Sequence, residues 1–394
     1  MAFFQLPLKP DNPLVYHQIL FRTASVKVSP LCLGGISIGS SWSELFGKNE
    51  EPDTLLDSYF ALGGNFIDRS NTYNSEESER LLDEWMEKWG NRDQMVGATK
   101  YTAGYKAYQS KELPMQSNYT GNSAKSMHVT MRDILAKLKT DYIDILYVHW
   151  WDYGTSVEEV MRHLHVYVMA RQVLCLGVFV TPAWAVVKAN EFARQHGLTP
   201  FSVYQGKWNA AYRDVEAETI PMCEDQGMAI VSWASLRGGQ LQTAKQREDK
   251  KNDPDAHKGY GLSETDVKVS EALERIADAK KTTIQAVALA YLSHQSTYVF
   301  PIVGVQSMLH VKPMPEAFKI ELSKEDLEDI QDASDFQPQF SQSFLYQWTG
   351  EAKYHTRLTS ADVAQYQMAA WIQAPPKQAV SEMKLKCWME VHVC

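Results

Sequence analysis

Ile143-Asp144-Ile145-Leu146-Tyr147-Val148-His149 is a run of large apolar and β-branched residues that ends on a histidine. Such near-continuous hydrophobicity suits a strand covered on both faces, as in a parallel sheet. Two runs upstream share the form: Asn65-Phe66-Ile67-Asp68 and Met95-Val96-Gly97-Ala98-Thr99-Lys100, each ending on an ionisable residue. Five more follow: Leu31 to Gly35, Val173 to Val178, Phe201 to Gln205, Ala229 to Trp233 and Tyr298 to Val303. Segments of helical periodicity separate them. Met127, Met131, Ile134, Leu135 and Leu138 share one face of a helix predicted from Met127 to Lys139, and Ser263 with Asp266 marks the start of another. Eight strands alternating with helices predict an α/β fold, a (β/α)8 TIM barrel whose strand carboxyl ends gather around one mouth.

Two connections are long for loops of this class, Tyr101 to Lys125 after the third strand and Arg237 to Leu262 after the seventh. Both leave from the mouth, so both are expected to wall a substrate pocket or fold over a cofactor. The second carries Lys245-Gln246-Arg247-Glu248-Asp249-Lys250-Lys251-Asn252-Asp253 and reads equally well as a solvated surface loop. The barrel is expected to occupy residues 1–348, with 349–394 as a tail in which the strand and helix pattern has stopped.

With 44% hydrophobic and 22% charged residues, the 394-residue chain has the composition of an ordinary globular protein. Its 39 basic and 48 acidic residues give a net charge of −9, without a basic stripe to follow a phosphate backbone, so nucleic acid is not an expected partner. The first residues do not read as a signal peptide, and no run of about 18 apolar residues suggests a membrane span; the expected location is cytoplasmic. The five scattered cysteines lack a Cys-x-x-Cys pair and read as reduced thiols. His163 and His165 lie two apart on a predicted helix and so diverge, and no metal site is expected.

The strand-end residues carry the chemistry. Reducing a carbonyl needs a hydride at carbon, which only a cofactor supplies, and a proton at oxygen. Tyr73 can donate that proton, but a free phenol with a pKa near 10 is a weak acid at neutral pH. An ammonium at Lys100 would stabilise the phenolate, Asp68 would hold the ammonium, and His149 would hydrogen-bond the carbonyl oxygen and orient the substrate. Trp150 and Trp151 follow directly and either line an aromatic substrate pocket or pack into the core. Tyr73, His149 and Trp150 are the candidate substrate contacts.

The spacing Asp68-Arg69-Ser70-Asn71-Thr72-Tyr73, then Ala98-Thr99-Lys100, then Tyr147 to Tyr153, resembles the aldo-keto reductase superfamily. The likeness spans about Phe21 to Gln337 and includes Gly63-Gly64-Asn65-Phe66-Ile67-Asp68, Ser78-Glu79, Thr181-Pro182-Ala183-Trp184 and Trp208-Asn209-Ala210-Ala211. It is nearest in character to fungal aryl-alcohol dehydrogenase-like and norsolorinic acid reductase-like members. The resemblance implies NADPH or NADP+ bound across the mouth, acting on a small-molecule carbonyl or alcohol. It also implies that Asp68 and Gln205 touch the nicotinamide and that Trp233 stacks on it. Ala234, Ser235, Leu236, Arg237, Gly238 and Gly239 would approach the pyrophosphate, and Gly304, Val305, Gln306, His310 and Lys312 would face the adenosine.

The chain departs from the family pattern in two places. Where the family has Gly-x-Ser-Asn or Gly-x-Ser-Asp for the carboxamide, this chain reads Gly177-Val178-Phe179-Val180; Phe179 and Val180 remain candidate contacts, by packing alone. Where the family offers Arg, Glu and Asn to the adenosine end, this chain has Gln306, Leu309 and Met314. Either Lys245, Arg247, Lys250 and Lys251, with His310 and Lys312, restore positive charge, or cofactor binding is weak. The second case would make the chain a catalytically impaired barrel serving as a nucleotide-binding regulatory subunit.

Overall fold

A computed structural model describes residues 8–250, 261–345 and 368–372. The chain divides into two compact units, Met1–Gln337 and Pro338–Cys394. The predicted tail 349–394 lies outside the described residues apart from 368–372, as do 251–260 at the centre of the second long loop. In the second unit the described residues include the short helix Gln342–Leu345.

The first unit is a closed (β/α)8 barrel. Its strands are β3 (Cys32–Gly34), β4 (Phe66–Asp68), β5 (Val96–Tyr101), β6 (Ile143–Val148), β7 (Val173–Phe179), β8 (Val203–Lys207), β9 (Ala229–Trp233) and β10 (Val299–Gly304), and β10 pairs with β3 to close the ring. Every pairing is parallel. All eight predicted strands are present at their predicted places.

Period-two alternation divides the side chains. Cys32, Phe66, Ala98, Ile145, Tyr147, Val203, Val231 and Phe300 fill the barrel interior. Leu146, Val148, Leu176 and Val178, one residue out of phase, pack outward against the helices. Those helices start where short polar side chains cap them: Ser123 before Ala124–Lys137, Ser156 before Val157–Met169, and Thr283 before Ile284–Gln295. Ser263 and Asp266 form a reciprocal capping box at the start of Glu264–Lys280, as the sequence predicts.

An antiparallel hairpin, β1 (Gln18–Phe21) and β2 (Ala24–Val28), precedes the barrel and was not foreseen. Its Leu20, Ala24 and Val28 belong to the interior cluster. Asn65, just before β4, bonds Ser29 N at 2.7 Å and Lys27 O at 3.0 Å, and Thr23 reaches Gly227 O just before β9. The hairpin therefore closes the amino end of the barrel. Alternation in Ser25-Val26-Lys27-Val28 was the available signal, but strands this short carry little of it.

Candidate active site

Neighbouring strands β4 and β5 set Asp68 beside Ala98, two residues before Lys100. Asp68 and Lys100 thus both point into the barrel at its carboxyl end. Lys100 Nζ donates to both Asp68 carboxylate oxygens at 2.6 Å and to Arg69 O at 2.9 Å. Lys100 is fully buried; desolvation pulls its ammonium below the usual lysine range, while the adjacent Asp68 carboxylate opposes that shift. Those three acceptors orient the ammonium, whose nitrogen stands 4.9 Å from the centroid of the Tyr73 ring. Its influence on the phenol is therefore that of a fixed positive charge nearby.

His149 follows β6, and its N–H donates to Tyr101 O at 2.9 Å. Its ring meets the Tyr73 ring edge-on at 6.1 Å between centroids. Burial, and then the Lys100 charge, push the imidazole well below its usual pKa, so it is neutral at physiological pH. The four residues at the ends of β4, β5 and β6 and the loop after β4 are thereby brought together.

A cavity of about 1000 Å3 opens at this end of the barrel, lined among others by Asp68, Tyr73, His149, Phe179, Gln205 and Trp233. Gln205 Nε2 donates to Asp68 Oδ1 at 2.8 Å, and its Oε1 is buried without a partner. Phe179 stacks on Trp233 at 5.9 Å and meets His149 at 5.0 Å. Ala234, Ser235, Leu236, Gly238 and Gly239 line the cavity in a tight turn, with Ala234 and Arg237 in the left-handed region at φ 54° and 55°. Gly304, Val305, Gln306 and His310 line it from β10 onward.

Other predicted residues are placed elsewhere. Trp150 is 40% exposed with its ring 5.0 Å from that of His149, outside the cavity lining, whereas Trp151 packs into the core. Val180, Arg237 and Lys312 do not line the cavity. The Val180 N–H donates to Gln205 O at 3.0 Å, and Arg237 pairs with Asp266 at 3.0 Å. Of the candidate compensating charges, Lys245 and Arg247 lie in the helix Ala244–Lys250 outside the lining, and Arg247 donates to Gln242 O. Burial lowers the pKa of His310. The Lys250 side chain and Lys251 lie outside the described residues.

The long loop after β5 contributes nothing to this lining. It is anchored sideways instead, Lys106 and Tyr108 each reaching Glu76 at 2.7 Å. The connection after β3 takes its place through Ile36, Ser37 and Phe46, and Gln306 Nε2 fastens that connection by donating to Phe46 O at 2.8 Å. These residues carried no sequence signal, since their role depends on closure between β3 and β10. Among the described residues no group of three or more metal-binding side chains is found, and no helix is long and apolar enough to cross a membrane.

A barrel with this constellation defines an oxidoreductase class, and the chain belongs to the aldo/keto reductase family, whose model matches residues 30–335. It is similar to norsolorinic acid reductase of Aspergillus flavus, 44% identical over 379 residues and 95% of each chain. It is also similar to norsolorinic acid reductase B of Dothistroma septosporum, 45% identical over 337 residues and 85% of each chain. Aryl-alcohol dehydrogenase [NADP(+)] of Phanerodontia chrysosporium is 44% identical over 344 residues, covering 84% of this chain and 89% of its own.

The family uses NAD(P)H, and the residues present fit its nicotinamide end. Gln205 Oε1 is an unsatisfied acceptor for a carboxamide N–H, and Trp233 offers an aromatic face. The lining contributed after β9 mixes Leu289, Val305, Leu309, Met314 and Ala317 with Gln242, Gln246, Gln285, Gln306 and His310. Asp249 carries the formal charge there, and no lysine or arginine lines the cavity among the described residues.

Proposed function

We propose that the chain is an NADPH-dependent reductase of an aromatic or polyketide-like aldehyde or ketone in secondary metabolism, which also oxidises the matching alcohol. The observation that carries this reading is the Lys100 ammonium, gripped by both oxygens of Asp68 at 2.6 Å and set 4.9 Å from the Tyr73 ring. A bound nicotinamide supplies the hydride. Tyr73 gives its phenolic proton to the carbonyl oxygen, and Lys100 stabilises the phenolate left behind. Asp68 keeps that ammonium from swinging toward the substrate. Neutral His149 can donate a hydrogen bond to the carbonyl oxygen without competing as an acid. Phe179, Trp233 and His149 form an aromatic wall that favours a flat substrate, and the names of the relatives point the same way.

Loss of NADPH absorbance with a panel of benzaldehydes and aryl ketones tests the reading. Turnover no greater than that of Tyr73→Phe would overturn it. The second reading, a nucleotide-binding regulatory barrel, is favoured by Phe179 and Val180 where the family keeps polar side chains. NADPH binding without turnover on any carbonyl of the panel would select it.

A further inference from the structure

We propose that Ser70 and Asn71 form a buried relay that fixes His149 in the tautomer with its proton on Nε2, making both positioning residues of the active site. The inference rests on the carbonyl-reductase reading for its purpose, though not for its geometry. A neutral imidazole carries one N–H, and only a donor at the nitrogen facing the cavity can hold a carbonyl oxygen. Ser70 Oγ lies 3.4 Å from His149 Nδ1, and Ser70 is fully buried. That leaves Nε2 as the ring nitrogen for the cavity.

The serine hydroxyl has one proton and two acceptors within reach, His149 Nδ1 and Asn71 Oδ1, the latter at 3.3 Å. Asn71 is also fully buried, and its Nδ2 has no partner. A buried orphan donor costs more than an under-used carbonyl acceptor. Half a turn of the Asn71 amide exchanges its two ends, so that Nδ2 donates to Ser70 Oγ and the hydroxyl proton passes wholly to His149 Nδ1. The order then runs from the Asn71 amide to the Ser70 hydroxyl to Nδ1, with Nε2–H directed at the substrate oxygen. The stretch from Asp68 at the end of β4 to Tyr73 thus serves three members of the site: Asp68 holds Lys100, Ser70 and Asn71 set His149, and Tyr73 supplies the proton.

Two-bond nitrogen–proton correlation on protein labelled in its histidine rings tests the relay, with His149 assigned by its disappearance in His149→Asn. The wild type is expected to show Nε2 protonated and Nδ1 hydrogen-bonded. In Ser70→Ala, Nδ1 should move to the position of a nitrogen without a donor and kcat should fall roughly ten-fold, the worth of about one buried hydrogen bond. The Kd for NADPH should stay unchanged, and Ser70→Thr, which keeps the hydroxyl, should restore both signals. Protonation on Nδ1 in the wild type, or an Nδ1 signal indifferent to Ser70→Ala, overturns the proposal. The tautomer is read without turnover, so a protein that reduces no carbonyl yet shows Nε2–H would sink the reductase reading and leave the relay standing.

Discussion

Gly177 and Tyr147 are register partners on β7 and β6, and a Cβ added to Gly177 would lie 2.4 Å from Tyr147 Cδ1. The tyrosine ring lies on that bare backbone inside the barrel, 5.7 Å below the Lys100 nitrogen. Gly177→Ala should therefore displace the ring and lower stability by about 1–3 kcal/mol, as overpacking of a filled core does. A urea denaturation midpoint equal to that of the wild type would refute the packing argument.

The Tyr73 ring lies 4.9 Å from the Lys100 nitrogen and 6.1 Å from the His149 ring. Tyr73→Phe removes the proton donor and leaves the ring. Turnover should drop by about 10²- to 10⁴-fold, the usual reach of acid catalysis, with little change in NADPH affinity. A variant that keeps more than about half of the wild-type kcat would exclude Tyr73 as the acid.

His149 titrates near 6.5 when unfolded and well below that in the native chain. As the pH falls through 6.5, the unfolded chain takes a proton that the native chain refuses. This contribution is therefore harmless above that pH and erodes stability below it, by at most about 1.4 kcal/mol per pH unit. Asp83 acts oppositely: burial raises its carboxyl from 3.8 to about 6, so the native chain holds the extra proton between those values and gains stability as the pH falls. Comparison with His149→Asn separates the two. Urea midpoints measured from about pH 8 down to about 5.5 should fall more steeply for the wild type than for the variant, and parallel slopes would contradict the assignment.

Asp249 lines the cavity, and no lysine or arginine does so among the described residues. Preference for NADPH over NADH should accordingly be narrow, within about ten-fold, because no cation–phosphate contact is on offer there to widen it. Asp249→Asn should strengthen NADPH binding selectively by removing a like charge. Tryptophan fluorescence titrations with both cofactors decide it; a preference above about a hundred-fold, or one unmoved by the variant, would show the charge balance of the cavity to be set elsewhere.

Strands were legible because each had to be apolar on both faces, which leaves an unbroken signature in Ile143 to Val148 and Ala229 to Trp233. Asp68, Lys100 and His149 meet because strand-end positions converge in any closed barrel, and Tyr73 joins them from the loop after β4. Side-chain direction was not legible. Trp150 and Trp151 look interchangeable in the sequence, yet the chain just past β6 leaves one 40% exposed and buries the other in the core. The lining from the connection after β3 was hidden as well, since it is fastened at Phe46 by Gln306, 260 positions away. Ser70 passed unnoticed for a different reason: a serine becomes informative only once the ring beside it is located.

The β1–β2 hairpin turns the barrel into a blind cup. With the amino end sealed by Leu20, Ala24 and Val28, any ligand of the cavity must enter and leave by the same doorway. That architecture would impose an order on two molecules sharing the mouth, the deeper one entering first and leaving last.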